Sequence, residues 1–259
     1  MVSIQQSLSL HSRKTNNMNN LHLISKYAIC YGVFFLSSFI SKTEHSNRLY
    51  DSKGTVSSPG ILLGLQAAGI LWLGIVPFFI LHYSLNDIVI GQQAPTIVQL
   101  CSLLLLLIAS IAIASGSAIG VITKSVTDRQ IVFHFSKKFT STYFLSRTLF
   151  LICYELFFRG YLLSDAIHRM GIGTAILVNT GLYCFLHVFN DKKEIIACVL
   201  FGIILCSVCL WFRAAWPAIV IHIVFSLTYE LKLLKTNPYT ANKIQHENIY
   251  YRRFGLHRK

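Results

Sequence analysis

A succession of apolar runs divides this sequence, at about 21–40, 61–82, 97–122, 143–164, 172–189, 194–212 and 214–234, and no other feature restricts the fold as severely. A helix of roughly 20 apolar residues spans a hydrocarbon core about 30 Å thick, and these runs are of that length. The composition agrees. Of 259 residues, 54% are hydrophobic and only 13% charged, with a mean hydropathy of +0.56, whereas a soluble domain carries about 25% charged residues. There is too little polar surface to coat a water-soluble globule, and too much apolar surface for disorder. The expected fold class is all-α, a multi-span transmembrane helix bundle of about six to eight helices.

The formal charge is +13, from 23 Lys+Arg against 10 Asp+Glu. In a soluble chain this would suggest nucleic acid. Here the basic residues lie mostly between apolar runs, as cytoplasmic loops do, so no nucleic-acid partner is expected. Loop 83–96 lacks Lys and Arg and is assigned outside. Loop 123–142 carries Lys124, Arg129, Lys137 and Lys138, and is assigned to the cytoplasmic face with Lys192, Lys193 and the basic tail. Residues 1–20 form a polar N-terminal tail, which lands outside if every segment spans, and 21–40 is either a first span or an interfacial helix. The remaining divisions are accessory transmembrane helices within 21–130, a core at 140–234 and a basic tail at 235–259. That tail (NIYYRRFGLHRK) suits anionic headgroups, though a solvated tail accounts for it as well.

Small residues suggest helix packing. Gly60-x-x-x-Gly64 and Gly116-x-x-x-Gly120 have the spacing that lets helices approach, and the Ala-Ser-Gly-Ser run at 114–117 reads the same way rather than as a serine nucleophile. Every cysteine lies in an apolar run and is expected to be a reduced packing residue, Cys206-x-x-Cys209 included. No repeated halves of the kind transporters use are present.

The residues that are expensive in lipid concentrate near the C-terminal end. Glu155 and Arg159 stand four apart within YELFFRGYLL; Asn179, Tyr183 and His187 form a polar stripe; His222 and Ser226 form another, continued by Tyr229 and Glu230. Each admits a plain structural role: a buried ion pair, a headgroup contact for His187, an interhelical hydrogen bond for His222. Together, one carboxylate and two imidazoles facing each other suit hydrolysis of a peptide bond within the membrane, with Glu155 as general base for water.

At these residues the chain resembles the family of CAAX proteases and bacteriocin-processing enzymes (Abi or type II CAAX prenyl endopeptidases), intramembrane glutamic-type endopeptidases whose pattern is E-E-x-x-x-R, F-x-x-x-H and H-x-x-x-N/D. Tyr154-Glu155-x-x-x-Arg159-Gly160, Tyr183-x-x-x-His187 and Trp216-Pro217-Ala218 before His222-x-x-x-Ser226 stand at those places, over about 140–230. The resemblance implies a protease-like core and an endopeptidase of glutamic or metallo type, acting on a membrane-associated protein or peptide in the bilayer. Its catalytic residues would be Glu155, His187 and His222, supported by Tyr154, Arg159, Ser226, Tyr183 and Asn179. His187 would orient water or bind a metal, and His222 with Ser226 would stabilise the oxyanion. Two histidines and a glutamate match a zinc set in type, but a glutamate-activated water needs no cofactor.

Two departures bear on activity. Tyr154 stands where the family has its first, water-activating glutamate, and a phenol with an ordinary pKa of about 10 is a poor base at pH 7. Ser226 replaces Asn/Asp, a milder change because a hydroxyl still donates. The alternative function is therefore a catalytically inactive relative that binds a membrane peptide or partner as an immunity or scaffold protein. The expected location is a bacterial cytoplasmic membrane, as an integral multi-pass protein with its C-terminus cytoplasmic.

Overall fold

The computed structural model describes residues 2–51, 54–81, 83–91, 93–126, 135–188 and 192–235. It is an all-α bundle. Helix α1 (Val2–Thr43) is followed by a two-residue antiparallel pair, β1 (Tyr50–Asp51) and β2 (Gly54–Thr55). Helix α2 (Pro59–Gly69) runs through a π-helical stretch, Ile70–Ile75, into α3 (Val76–Leu81). After a π turn at Asn86–Ile90 comes α4 (Ile97–Val126). Helix α5 (Lys137–Glu155) passes through a second π-helical stretch, Leu156–Leu162, into α6 (Leu163–Met170). Helices α7 (Ile172–Phe185), α8 (Lys192–Phe212) and α9 (Trp216–Lys235) complete the order. The sequence assigned 1–20 to a polar tail, yet α1 is helical from Val2. That stretch contains neither Gly nor Pro, so nothing in it stops a helix that begins in the apolar run. The basic tail expected at 235–259 lies, past Lys235, outside the described residues.

Among the described residues, 5 helical segments are long and apolar enough to cross a membrane: Leu21–Thr43, Pro59–Leu81, Ile97–Val121, Glu194–Phe212 and Trp216–Lys235. The first of these gives the 21–40 run the length of a span. By length and composition, these segments are those of an integral membrane protein. The remaining helical material is the charged rod of α5 and α6 and the 14-residue α7. Helix α4 illustrates how an apolar helix divides its surface. Leu103, Ser110, Ala114 and Ala118 are buried, while Leu104, Leu105, Ile108, Ile111 and Ile113 are exposed. The first set faces a bundle whose most extensive helix pairing is α4 with α9. In water the second set would be an aggregation-prone patch; against lipid tails it carries no penalty.

The glycines correct one expectation. A Cβ at Gly64, Gly116 or Gly120 would meet nothing within 4 Å, and one at Gly60 would meet only Ser58 Oγ at 4.0 Å. Neither G-x-x-x-G pair is a packing motif. Close approach occurs instead at Gly69, against the Phe150 ring, and at Gly74, against Cys153. Both glycines lie where α2 and the π-helical stretch after it pack on α5. The Ala-Ser-Gly-Ser run does pack through its alanine, because Ala114 and Ala118 share the buried face of α4. The cysteines are all free, as expected.

Polar ties fasten α1 and the segment after α3 to the site-bearing rod. Tyr27 donates to Asp165 Oδ2 at 2.6 Å, and the Tyr83 hydroxyl donates to Asp165 Oδ1. Burial and this bond hold the Tyr83 phenol above its ordinary range, so it stays a donor. Tyr31 donates to the Leu182 carbonyl at 2.8 Å.

At Gly74 an added methyl would overlap Cys153 Sγ and also stand 2.8 Å from its Cβ, so turning the cysteine side chain gives no relief. Gly74→Ala should therefore destabilise the bundle by about 1–3 kcal/mol. Gly116→Ala should be neutral or stabilising, by up to about 1 kcal/mol from helix propensity. Thermal unfolding of both variants in detergent checks this, and equal transitions would refute the packing assignment.

Candidate active site

Helix α5 delivers Tyr154 and Glu155 on its last turn, and the π-helical stretch that follows carries Arg159. A π segment inserts a wider turn and is found disproportionately at functional sites. Here it is pinned from α7: the Asn179 amide donates to the Phe158 carbonyl at 2.6 Å and accepts from Cys206 Sγ at 3.3 Å. Asn179, grouped by sequence with the chemical residues, thus supports the backbone that presents Arg159.

Glu155 and Arg159 are both fully buried. Arg159 Nη1 lies 3.5 Å from Glu155 Oε1, and Arg159 Nε lies 3.3 Å from Oε2. The guanidinium sits over the Tyr183 ring, 4.5 Å from its centroid, a cation–π contact that helps to house a charge away from water. From α9, His222 Nδ1 meets Glu155 Oε1 at 2.5 Å. The ionised carboxylate only accepts, so Nδ1 carries the proton toward Glu155 and Nε2 is left as the basic nitrogen. Short charge-assisted bonds of this kind are among the stronger ones available in a protein.

His187 does not reach this carboxylate. Its Nδ1 lies 3.3 Å from Glu194 Oε1 on α8, and Glu194 is ion-paired with Arg48, from the loop after α1. Both imidazoles neighbour Tyr183, whose ring centroid is 5.5 Å from that of His187 and 6.4 Å from that of His222. The set Glu155, His187 and His222 therefore does not converge as metal ligands. Tyr154 is buried among Phe34, Phe150, Phe158, Tyr183 and His222, its ring 5.9 Å from the His222 ring. Its hydroxyl has no hydrogen-bond partner among the described residues.

Ser226 lies one turn beyond His222, but its hydroxyl accepts from Arg147 Nε and Nη2 at 3.3 and 3.1 Å. Arg147 also pairs with Glu230 at 3.2 Å. Sequence reasoning overlooked Arg48, Arg147 and Glu194. Arg147 and Glu194 were within reach, since each is an ionisable residue at or inside an apolar run; Arg48 sits in a polar loop and gave no such signal.

Removing one partner of a buried pair leaves the other charge uncompensated, at a cost of about 3–5 kcal/mol. Arg159→Met should show that loss, and adding Glu155→Gln should recover much of it. Additive effects in this double-mutant cycle, read by unfolding in detergent, would mean that the two charges are not coupled.

Residues 137–228 match the family described as Type II CAAX prenyl endopeptidase Rce1-like. Among curated proteins and solved structures nothing matches the chain. The matched stretch begins at the first residue of α5 and ends within α9, so it contains Tyr154, Glu155, Arg159, His187, His222 and Ser226 in the order and spacing described above. The pairing of a buried carboxylate with an arginine and a histidine therefore lies within an Rce1-like type II CAAX prenyl endopeptidase domain at residues 137–228.

Proposed function

We propose that the chain is an intramembrane endopeptidase that hydrolyses a peptide bond of a membrane-associated protein or peptide, with Glu155 and His222 acting as one base. The 2.5 Å contact between Glu155 Oε1 and His222 Nδ1 carries this reading. Glu155 is fully enclosed, with Arg159 and His222 against it, so it acts on water through the imidazole rather than directly. The carboxylate orients the ring and stabilises the imidazolium that forms when Nε2 takes a proton from water, the logic by which an acid partner supports a histidine base. The hydroxide equivalent adds to the scissile carbonyl, and Nε2–H then returns the proton to the departing amine.

The tetrahedral intermediate needs a donor. The Tyr154 hydroxyl is buried and has no partner among the described residues, and its ring centroid lies 5.9 Å from that of His222. A buried hydroxyl without a partner is costly, and a substrate oxyanion would satisfy it. In this reading Tyr154 supplies a neutral donor where the family pattern has a carboxylate. His187, partly exposed and held by Glu194, orients the incoming chain or water. Ser226 serves Arg147 and has no part in the oxyanion step.

The alternative is an inactive relative that binds a membrane peptide. What favours it is the packing of Tyr154 as one more ring in an aromatic cluster, against Phe150 and Phe158.

A farnesylated peptide with a CAAX terminus, incubated with the full chain in proteoliposomes, separates the two. Endopeptidase action releases the terminal tripeptide. Glu155→Gln and His222→Ala should each lower kcat/KM by about 10²–10⁴, and Tyr154→Phe by about 10²–10³ in kcat if its hydroxyl meets the oxyanion. Cleavage at the unmodified rate in both Glu155→Gln and His222→Ala would overturn the base assignment. Peptide binding without cleavage, unchanged by Glu155→Gln, would establish the binder.

A further inference from the structure

Beside the Glu155–His222 pair lies a second chemical cluster, of which the proposed hydrolysis uses His187 alone, and only to orient the incoming chain or water. His187 stands just past the end of α7, and Glu194 and Cys198 stand four apart on α8, hence on one helix face. One ligand-capable atom from each lies within 4.8 Å of the other two. We propose that His187, Glu194 and Cys198 bind one divalent ion of the zinc class.

The chemistry of the three groups favours such an ion over a harder one. Imidazole nitrogen and thiolate sulfur select zinc-like metals, whereas magnesium and calcium demand oxygen throughout. The geometry is close to what is needed. Two bonds of about 2.0–2.1 Å at a tetrahedral angle hold their donors roughly 3.3 Å apart, and His187 Nδ1 and Glu194 Oε1 are 3.3 Å apart. The three donors lie within 4.8 Å of one another, so the sulfur has to close by at most about 1.2 Å to reach the corresponding edge for a zinc–sulfur bond of about 2.3 Å, a shift on the scale of a side-chain rotation. A neutral imidazole, a carboxylate and a thiolate balance a divalent charge, which matters at the edge of an apolar bundle.

The surroundings fit as well. His187 and Glu194 each keep 28% of their side chains exposed, which gives an ion a way in. Cys198 is buried in the cluster that holds Tyr154 and Tyr183. Arg48 meets Glu194 Oε1, the oxygen that also faces His187, so it fixes the orientation of the carboxylate and an ion either shares that oxygen with the guanidinium or takes Oε2. Three protein ligands leave a fourth position for water or a substrate atom, as zinc sites with an open position have. The site clips the turn between α7 and α8, and so stabilises the stretch that presents His187. It does not depend on the chain being a protease, because its test reads metal and not cleavage.

The test loads the full chain, purified in detergent without a polyhistidine tag, with Co²⁺ as a spectroscopic stand-in for zinc. Expected are one ion per chain, visible bands of tetrahedral intensity and an ultraviolet thiolate-to-cobalt charge-transfer band. Added Zn²⁺ should displace all three signals. Cys198→Ser should abolish the charge-transfer band, and Glu194→Gln should weaken binding about ten-fold or more. Cys206→Ser, a buried cysteine outside the trio, should leave the spectrum unchanged. Folded protein that takes up no Co²⁺, or that takes it up without the charge-transfer band, overturns the proposal even if Cys198→Ser fails to fold. A band that survives Cys198→Ser overturns it too. In either case the Glu155–His222 reading stands or falls separately, on peptide cleavage.

Discussion

The Glu155 carboxylate is the group around which the rest of the site is organised. An isolated carboxylate at 0% exposure in an apolar bundle would cost more than the fold can supply. It is tolerated because a guanidinium and an imidazole reach it from two directions, Arg159 along its own helical rod and His222 from α9. Each partner has requirements of its own. Arg159 is itself buried, so Tyr183 of α7 lies beneath its guanidinium. Its backbone is in a π-helical stretch, so Asn179 of α7 holds the Phe158 carbonyl. One buried charge thereby fixes the relative rotation of α5, α7 and α9. In a membrane, where apolar surface is no more comfortable against a helix than against lipid, such polar pairings determine which faces meet.

That logic explains the division of labour among the helices. The strongly apolar α4 buries small residues and sends its large aliphatic side chains outward, into lipid. The rod from Lys137 to Met170 does the opposite: Phe157, Phe158, Arg159, Gly160 and Tyr161 in its π-helical stretch are all buried. On α5 itself Leu145, Leu149 and Ile152 stay exposed, so the enclosure is confined to the stretch that carries the charge. Glycine is placed accordingly, at Gly69 and Gly74 where that rod is approached closely, and not at the evenly spaced pairs on lipid-facing surfaces.

Local contacts were legible in the sequence, and contacts that depend on helix rotation were not. Glu155 and Arg159 are one turn apart, so their pairing follows from helix geometry alone. His222 could be read because a mid-span histidine must find a polar partner, and a single acid lay deep in an apolar run. His187 followed the same reasoning to the wrong partner. It lies close enough to Glu194, past a short turn, to pair there, and spacing alone does not say how a turn folds back. Ser226 likewise shares a helix face with His222, yet its hydroxyl is claimed by Arg147 from α5. The G-x-x-x-G pairs failed for a related reason: the spacing guarantees a common face but not that the face meets another helix. The helical start of α1 was missed because polar composition was read as looseness, although no residue there breaks a helix.

Of the three arginine–glutamate pairs among the described residues, one is suited to base chemistry. Arg48–Glu194, Arg147–Glu230 and Arg159–Glu155 each cancel one charge with another, and by that measure they are equivalent. They differ in what the carboxylate does besides meeting its arginine. Ser226 accepts from Arg147 and the Tyr143 phenol lies against Glu230; neither hydroxyl exchanges protons near neutral pH, so that pair ties α5 to α9. Glu194 holds His187 at 3.3 Å, a looser contact, in a position partly open to solvent. Glu155 holds His222 at 2.5 Å with its own carboxylate shut away, so the imidazole is its only route to a water molecule. A histidine fixed in one tautomer, with a buried anion behind it and a phenol ring beside it, has what general-base attack on a carbonyl requires. Tyr154 fits that arrangement as a donor, because a second carboxylate at its position would lie beside Glu155 with only one guanidinium, Arg159, to neutralise the two.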